Sequence, residues 1–274
     1  MIDLDPTLPR RLRTIESIAM ISRIVSTNFI GRRVTAQCIE NDNELPPSII
    51  VADEQTSGRG RGDRTWHSPA GKGIYATILL TRPDTEISQL PFEIAVVVAR
   101  FLEEIYGLAP RLKWPNDVFV DERKIAGILI EGRSRKRMVY MAIGVGINVE
   151  MMDDAPPGAV SIAEVSNREA VLVGPAREAF IEFLDDCLAL PSGREETLAA
   201  WRKRSIHERG DSIECRLSDR TISGRWAGID ETGRALIDHG SERLAISSGD
   251  LIFGESGENA PTGFDQTQNV KLRP

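Results

Sequence analysis

The chain is poor in the residues from which covalent or metal-centred chemistry is usually built: three cysteines and three histidines in 274 residues. Cys38, Cys187 and Cys215 are far apart, odd in number and without CxxC spacing, which argues against a disulfide framework or a zinc site. They read as reduced, mostly buried small hydrophobes. His67, His207 and His239 fall in unrelated segments, so neither a catalytic triad nor a metal cluster is signalled. Positive charge is also scarce, with 34 Lys plus Arg against 41 Asp plus Glu for a net −7, which excludes a broadly basic nucleic-acid binder. No apolar run suits a secretion signal or a bilayer span. The expectation is a cytoplasmic protein with no membrane partner. Hydrophobic residues at 41% and charged residues at 27% are ordinary globular proportions, enough to bury a core.

Segment patterns predict an α+β chain. Residues 10–20 read as a short helix and 21–25 as a short strand. Ser26 is a good N-cap for a helix whose apolar Ile30, Val34 and Cys38 recur every four residues, with Pro46 and Pro47 closing the segment. Strands are expected at 48–53, 74–81, 118–120, 124–131 and 138–149, the last two joined by a basic turn at 133–137. Helices are expected at 87–106, ending at Gly107, and at 175–190 and 195–204. From Gly210 the pattern changes to five short strands with turn signals, a small barrel that needs docking to be stable. Residues 255–274 are polar and read as a disordered tail.

Two segments carry chemistry. In GRGRGDR at 58–64, three glycines let the backbone approach an anion while Arg59 and Arg61 supply forked donors. A flexible solvated loop is the plain alternative. No GlyLysSer or GlyLysThr ends it, so it is no Walker loop. In KWPNDVFVDERKIAGILIEG at 113–132, Asn116 and Asp117 stand at the mouth of a strand, where a metal bound to phosphate could be held. Lys124 opens the next strand, and Gly127 leaves room for a close approach. GVGINV at 144–149 lacks the third glycine of a dinucleotide fingerprint; Gly144 and Gly146 instead thin a strand for packing, with Asn148 pointing into that space. Arg59, Arg61, Arg64, Arg123 and Lys124 reverse the overall acidity in the two segments expected to meet.

Taken in order, Ser26–Thr27–Asn28, residues 54–61, Trp66, residues 113–117, 123–131 and 144–148 closely resemble the biotin protein ligase family. Gly62 and Asp63 depart from it, standing where many members have ArgGly. The resemblance implies a mixed β-sheet catalytic domain backed by helices, class II synthetase-like, over 1–205, and an SH3-like barrel over 206–254. It implies activation of biotin by ATP to biotinyl-5′-AMP with release of pyrophosphate, then transfer to a lysine of a biotin carboxyl carrier protein, as in acetyl-CoA carboxylase. By the same resemblance Ser26, Thr27, Asn28 and Gln55 bind the fused ring head, and Trp66 and Gly127 flank the apolar chain. Gly58, Arg59, Gly60 and Arg61 form the loop over the adenylate, and Lys124 lies between carboxylate and α-phosphate. Asn116 and Asn148 contact nucleotide; Asn116 and Asp117 meet Mg2+ with ATP, unless Asp117 assists deprotonation of the acceptor lysine. Twenty-five residues precede Ser26, too few for the DNA-binding module of some members, so a monofunctional ligase without operator binding is expected. Many members form homodimers along a sheet edge; dimerisation here is left open. The alternatives are a lipoate or octanoate ligase or transferase, and a non-catalytic biotin sensor.

Overall fold

A computed structural model describes residues 12–62, 64–168 and 170–253. The first sheet is built from β1 (Ser17–Ile24), β2 (Ser48–Gln55), β3 (Gly73–Pro83), β4 (Arg111–Lys113), β5 (Asp117–Val120), β6 (Arg123–Arg135) and β7 (Met138–Asn148). Its order is β1-β2-β3-β7-β6-β5-β4. Only β1 and β2 run parallel; the remaining neighbours pair antiparallel. Helix α1 (Thr27–Glu40) covers one face, and α2 (Leu90–Tyr106) and α4 (Val173–Ala189) pack on the other, with the short α3 (Ile162–Val165) between them in sequence and α5 (Arg194–Arg204) following. The fold class is therefore the mixed sheet backed by helices that the sequence implied.

The expected helix over 10–20 is not found in its described part. Residues 17–24 form strand β1, because apolar side chains leave it in both directions: Ile18 and Met20 join the main core, Ala19 and Ile21 the cluster under α1. A strand apolar on both faces has no period of two to distinguish it from a buried helix. Residues 10 and 11 lie outside the described residues. The expected basic turn at 133–137 is also shorter, since β6 runs through Arg135 and only Lys136 and Arg137 turn the chain. The helix ending at Gly107 matches expectation, with that glycine left-handed at φ 70°. Neither β4 nor α3 was anticipated; both are too short to show a period.

The second sheet, β8 (Ser212–Arg216), β9 (Thr221–Ile229), β10 (Ala235–His239), β11 (Glu242–Ile246) and β12 (Asp250–Phe253), is antiparallel in the order β11-β10-β9-β8-β12. These are the five strands expected of the small barrel. It is docked: one hydrophobic cluster runs from α2 and α5 into Ile213, Cys215, Trp226 and Ile237. The indole of buried Trp114 donates to Gly233 O at 3.0 Å, and Phe92 meets Trp201 edge-on at 5.4 Å. The expected disordered tail lies outside the described residues. The three cysteines are free, Cys215 buried and the other two half-buried.

Candidate functional site

Strand alternation decides what the α1 face of the sheet looks like. In β7, Met141, Ile143, Val145 and Ile147 point into the main core, leaving Gly144 and Gly146 on the opposite face. Pairing places Gly144 between Thr77 and Leu129, and Gly146 between Tyr75 and Gly127. This low floor opens an indentation between α1 and the 58–66 hairpin. A side chain at Gly146 would put its Cβ 2.4 Å from Trp66 Nε1, so the indole lies directly on the missing side chain. At Gly144 the space is taken by Asn28 Oδ1, 2.9 Å from the corresponding point.

Over this floor is an open cleft. Ser26, Thr27, Asn28, Gln55, Arg59, Gly60, Arg61, Trp66, Asn116, Asp117, Lys124 and Gly127 all line it. Two candidates do not. Gly58 sits behind the cleft, where its carbonyl accepts from Trp66 N at 2.9 Å. Asn148 lines a neighbouring cleft with Trp66, His67, Lys124 and residues 156–159. Its amide is directed to Val160 O at 3.0 Å rather than into the space beside Gly144 and Gly146. Arg123, counted among the cations of the site, instead pairs with Glu164 at 3.3 Å.

One end of the cleft is a hydrogen-bond network of uncharged side chains backed by the Glu131 carboxylate. Ser26 caps α1, its hydroxyl accepting from Phe29 N–H. Thr27 follows, with its N–H and hydroxyl donating to Gln55 Oε1 at 2.8 and 3.1 Å. Gln55 Nε2 donates to Ser68 Oγ, and Ser68 Oγ donates to Trp66 O. Asn28 Nδ2 donates to Glu131 Oε2 at 2.6 Å. Thr77, Ser68 and Glu131 belong to this network and were not singled out from sequence. Glu131 stood in plain view two and four positions beyond Leu129 and Gly127, on the same strand face.

The other end collects charge. Lys124 stands beside a register shift between β5 and β6, the kind of bulge that re-aims a side chain. Its Nζ lies 2.7 Å from Asp117 Oδ1 and 5.2 Å from the Trp66 ring centre. Asn116 is clamped to β6, its side-chain amide donating to Ile128 O at 2.6 Å while its backbone carbonyl accepts from Ile128 N. The glycine-arginine segment is a tight hairpin, not an open loop: Arg59 bridges Thr65, and Gly60 N–H donates to Arg64 O. That amide is turned inward, contrary to the expectation that it faces an anion. Arg59 reaches back to the Asn28 end, its Nη2 3.8 Å from Glu131 Oε1. Arg61 donates to Gly249 O at 3.0 Å and meets Asp250 at 3.4 Å, both in the barrel. Burial pushes the Arg61 guanidinium below the ordinary arginine value, and Asp250 opposes the shift. Lys113, beside Asp117, is likewise lowered by burial.

The family model of the "Biotin/lipoate A/B protein ligase family" matches residues 26–148, and that of the "Biotin protein ligase C terminal domain" matches 210–254. The bifunctional ligase/repressor BirA of Bacillus subtilis is 30% identical over 230 residues, 80% of this chain and 70% of the relative. The biotin–[acetyl-CoA-carboxylase] ligase of Paracoccus denitrificans is 32% identical over 220 residues, 75% of this chain and 90% of the relative. Among solved structures, the Aquifex aeolicus biotin protein ligase in complex with biotin and ATP superposes with a TM-score of 0.67 at 26% identity, covering 88% of this chain and 100% of that one. With both family models in sequence order on the two sheets, and relatives of this identity matched over most of their length, the chain belongs to the biotin protein ligase family.

Proposed function

We propose that this chain is an ATP-dependent biotin–protein ligase that forms biotinyl-5′-AMP and transfers biotin to a lysine of a carboxyl carrier domain. The observation that carries the reading is the polarity of the cleft. Neutral donors and acceptors from Ser26, Thr27, Asn28 and Gln55 gather on one side, with Arg59 beside Asn28 on Glu131, and Lys124 with Asp117 and Arg61 gather on the other. Between them is a floor of Gly127, Gly146 and the Trp66 indole. A ligand with an uncharged polar head, an apolar chain and a terminal carboxylate fits that order of surfaces.

In the first step a biotin carboxylate oxygen bonds to the α-phosphorus of ATP as the α–β phosphoanhydride bond breaks, releasing pyrophosphate. Two anions must approach each other, so fixed cations contribute most where charge accumulates. Lys124 is placed for this, held at 2.7 Å by Asp117 and shielded by the Trp66 face. In the second step an acceptor amine attacks the acyl carbon, AMP leaves, and the amine loses a proton. Asp117, whose Oδ1 lies 2.7 Å from Lys124 Nζ, is the carboxylate that takes that proton. Among the described residues no group of three or more His, Cys, Asp or Glu side chains forms a metal cage. Mg2+ carried with the triphosphate would need only one or two protein oxygens; the side-chain oxygens of Asn116 and Asp117, both lining the cleft, would supply them.

Pyrophosphate exchange into ATP, measured with biotin, lipoate and octanoate in turn, tests the reading. Exchange with biotin alone is the expected result; exchange with lipoate or octanoate indicates an acyl ligase of the other class, and none with any acid a binding protein without turnover. Lys124→Ala should slow exchange by about a hundredfold or more while the chain remains folded, and a near-normal rate would remove Lys124 from the chemistry. Labelling of a carrier domain after the exchange assay identifies the acceptor.

A further inference from the structure

We propose that Glu131 is a positioning residue for the head pocket, fixing the orientation of the Asn28 amide and with it the hydrogen-bond polarity that the pocket offers. The inference rests on the biotin reading above. An asparagine amide is nearly symmetric in shape, and rotating it by half a turn exchanges donor for acceptor. Something must decide between the two. On one side Asn28 Oδ1 faces Thr77 Oγ1 at 3.2 Å, but a hydroxyl both donates and accepts and would tolerate either orientation. On the other side Asn28 Nδ2 lies 2.6 Å from Glu131 Oε2. A carboxylate only accepts, so it selects the amide nitrogen.

The rest of the geometry keeps Glu131 in that role. Asn28 and Arg32 are one helical turn apart on α1 and divide the carboxylate between them: Asn28 takes Oε2 and Arg32 Nη1 takes Oε1 at 3.1 Å. Arg59 Nη2 approaches Oε1 from the hairpin at 3.8 Å. The two guanidiniums are both on Oε1, which leaves Oε2 for the amide. With the nitrogen on Glu131, Asn28 Oδ1 accepts from Thr77, whose hydroxyl also lies 2.9 Å from Thr27 Oγ1. Thr27 in turn donates to Gln55 Oε1. The donor and acceptor pattern that Asn28 offers is thereby referred back to one carboxylate at the rear of the pocket, which does not itself line the cleft, whereas Gln55 is oriented separately by the Thr27 backbone N–H.

Biotin-dependent pyrophosphate exchange on the full chain tests this with a double-mutant cycle. Glu131→Gln, free to present either its oxygen or its nitrogen to Asn28, should raise KM for biotin by about tenfold or more, the worth of a hydrogen bond to a charged group. KM for ATP and kcat should stay within about twofold, a split that general loosening of the fold would not produce. In an Asn28→Ala background the same substitution should have no further effect on KM for biotin. Glu131→Asp, which keeps the charge, should recover part of the affinity, and it replaces Glu131→Gln in the cycle if the glutamine variant does not fold. An unchanged KM for biotin, or an equal effect with and without Asn28, overturns the inference while wild-type exchange with biotin leaves the functional reading intact. Absence of biotin-dependent exchange in the wild type overturns that reading and this inference with it.

Discussion

At the scale of single residues, His207 is placed to make stability depend on pH. It is buried, at 4% exposure, between the rings of Trp226 at 5.1 Å and Phe253 at 4.9 Å. Neither ring nitrogen has a hydrogen-bond partner among the described residues. Burial, with a smaller contribution from nearby Lys113, lowers its pKa from 6.5 to about 3. The folded chain therefore resists a proton that the unfolded chain accepts between those values. Stability is fully present above pH 6.5 and is lost as pH falls toward 3. From pH 6.5 to pH 5 the loss amounts to ~2 kcal/mol at 1.36 kcal/mol per unit. Urea unfolding of the wild type and of His207→Phe at pH 7 and pH 5 measures it: the wild type should lose more stability than the variant by about that amount. Equal losses would mean that the buried ring is protonated without cost.

At the scale of elements, the alternation of β7 gives the site its floor, and the alternation is where a single added side chain does most harm. Gly146→Val would drive a branched Cβ into Trp66, whose Nε1 and Cε2 lie 2.4 and 2.5 Å from that point. The indole must move, and misplacement by about 1 Å near reacting groups costs on the order of a hundredfold in rate. Biotinyl-5′-AMP formation should fall by that order, whereas Gly174→Ala, with nothing within 4 Å of the added carbon, should leave it unchanged. A Gly146→Val variant of normal rate would show that Trp66 is not held by the floor. This thinning was legible in the sequence because a strand repeats every second residue, and so was the capped start of α1 at Ser26. What filled the thinned space was not, since Asn28 and Trp66 reach Gly144 and Gly146 only through the pairing of β3, β7 and β6. Glu131 escaped for the same reason: its partners lie about 100 residues away on α1. The strand at β1 was misread because both its faces are apolar.

At the scale of the whole molecule, the cation hairpin is fastened to the barrel. A net charge of −7 hides this, because the acids that matter are single and local. Asp250 Oδ1, at the start of β12, accepts from Arg64 at 2.9 Å and meets Arg61 at 3.4 Å, while Arg61 also donates to Gly249 O at 3.0 Å. More than 180 residues of chain separate the partners, so no local pattern announces the contact. Arg64 and Asp250 are about half exposed, and exposed pairs contribute only ~0–1 kcal/mol. Removing the carboxylate should therefore leave global unfolding almost unchanged. The hairpin is a smaller cooperative unit, and local opening has its own free energy. A change of ~1 kcal/mol there multiplies the open population about fivefold. Brief trypsin treatment reads that population when opening is fast relative to cleavage, and Arg59, Arg61 and Arg64 supply the cleavage sites. Asp250→Ala should accelerate cutting after these arginines by up to about fivefold with no shift in melting temperature, and biotin with ATP should slow it in both proteins. Cleavage at the wild-type rate would show that the Gly249 carbonyl alone holds Arg61, and that the barrel restrains the hairpin through its backbone and not through this charge.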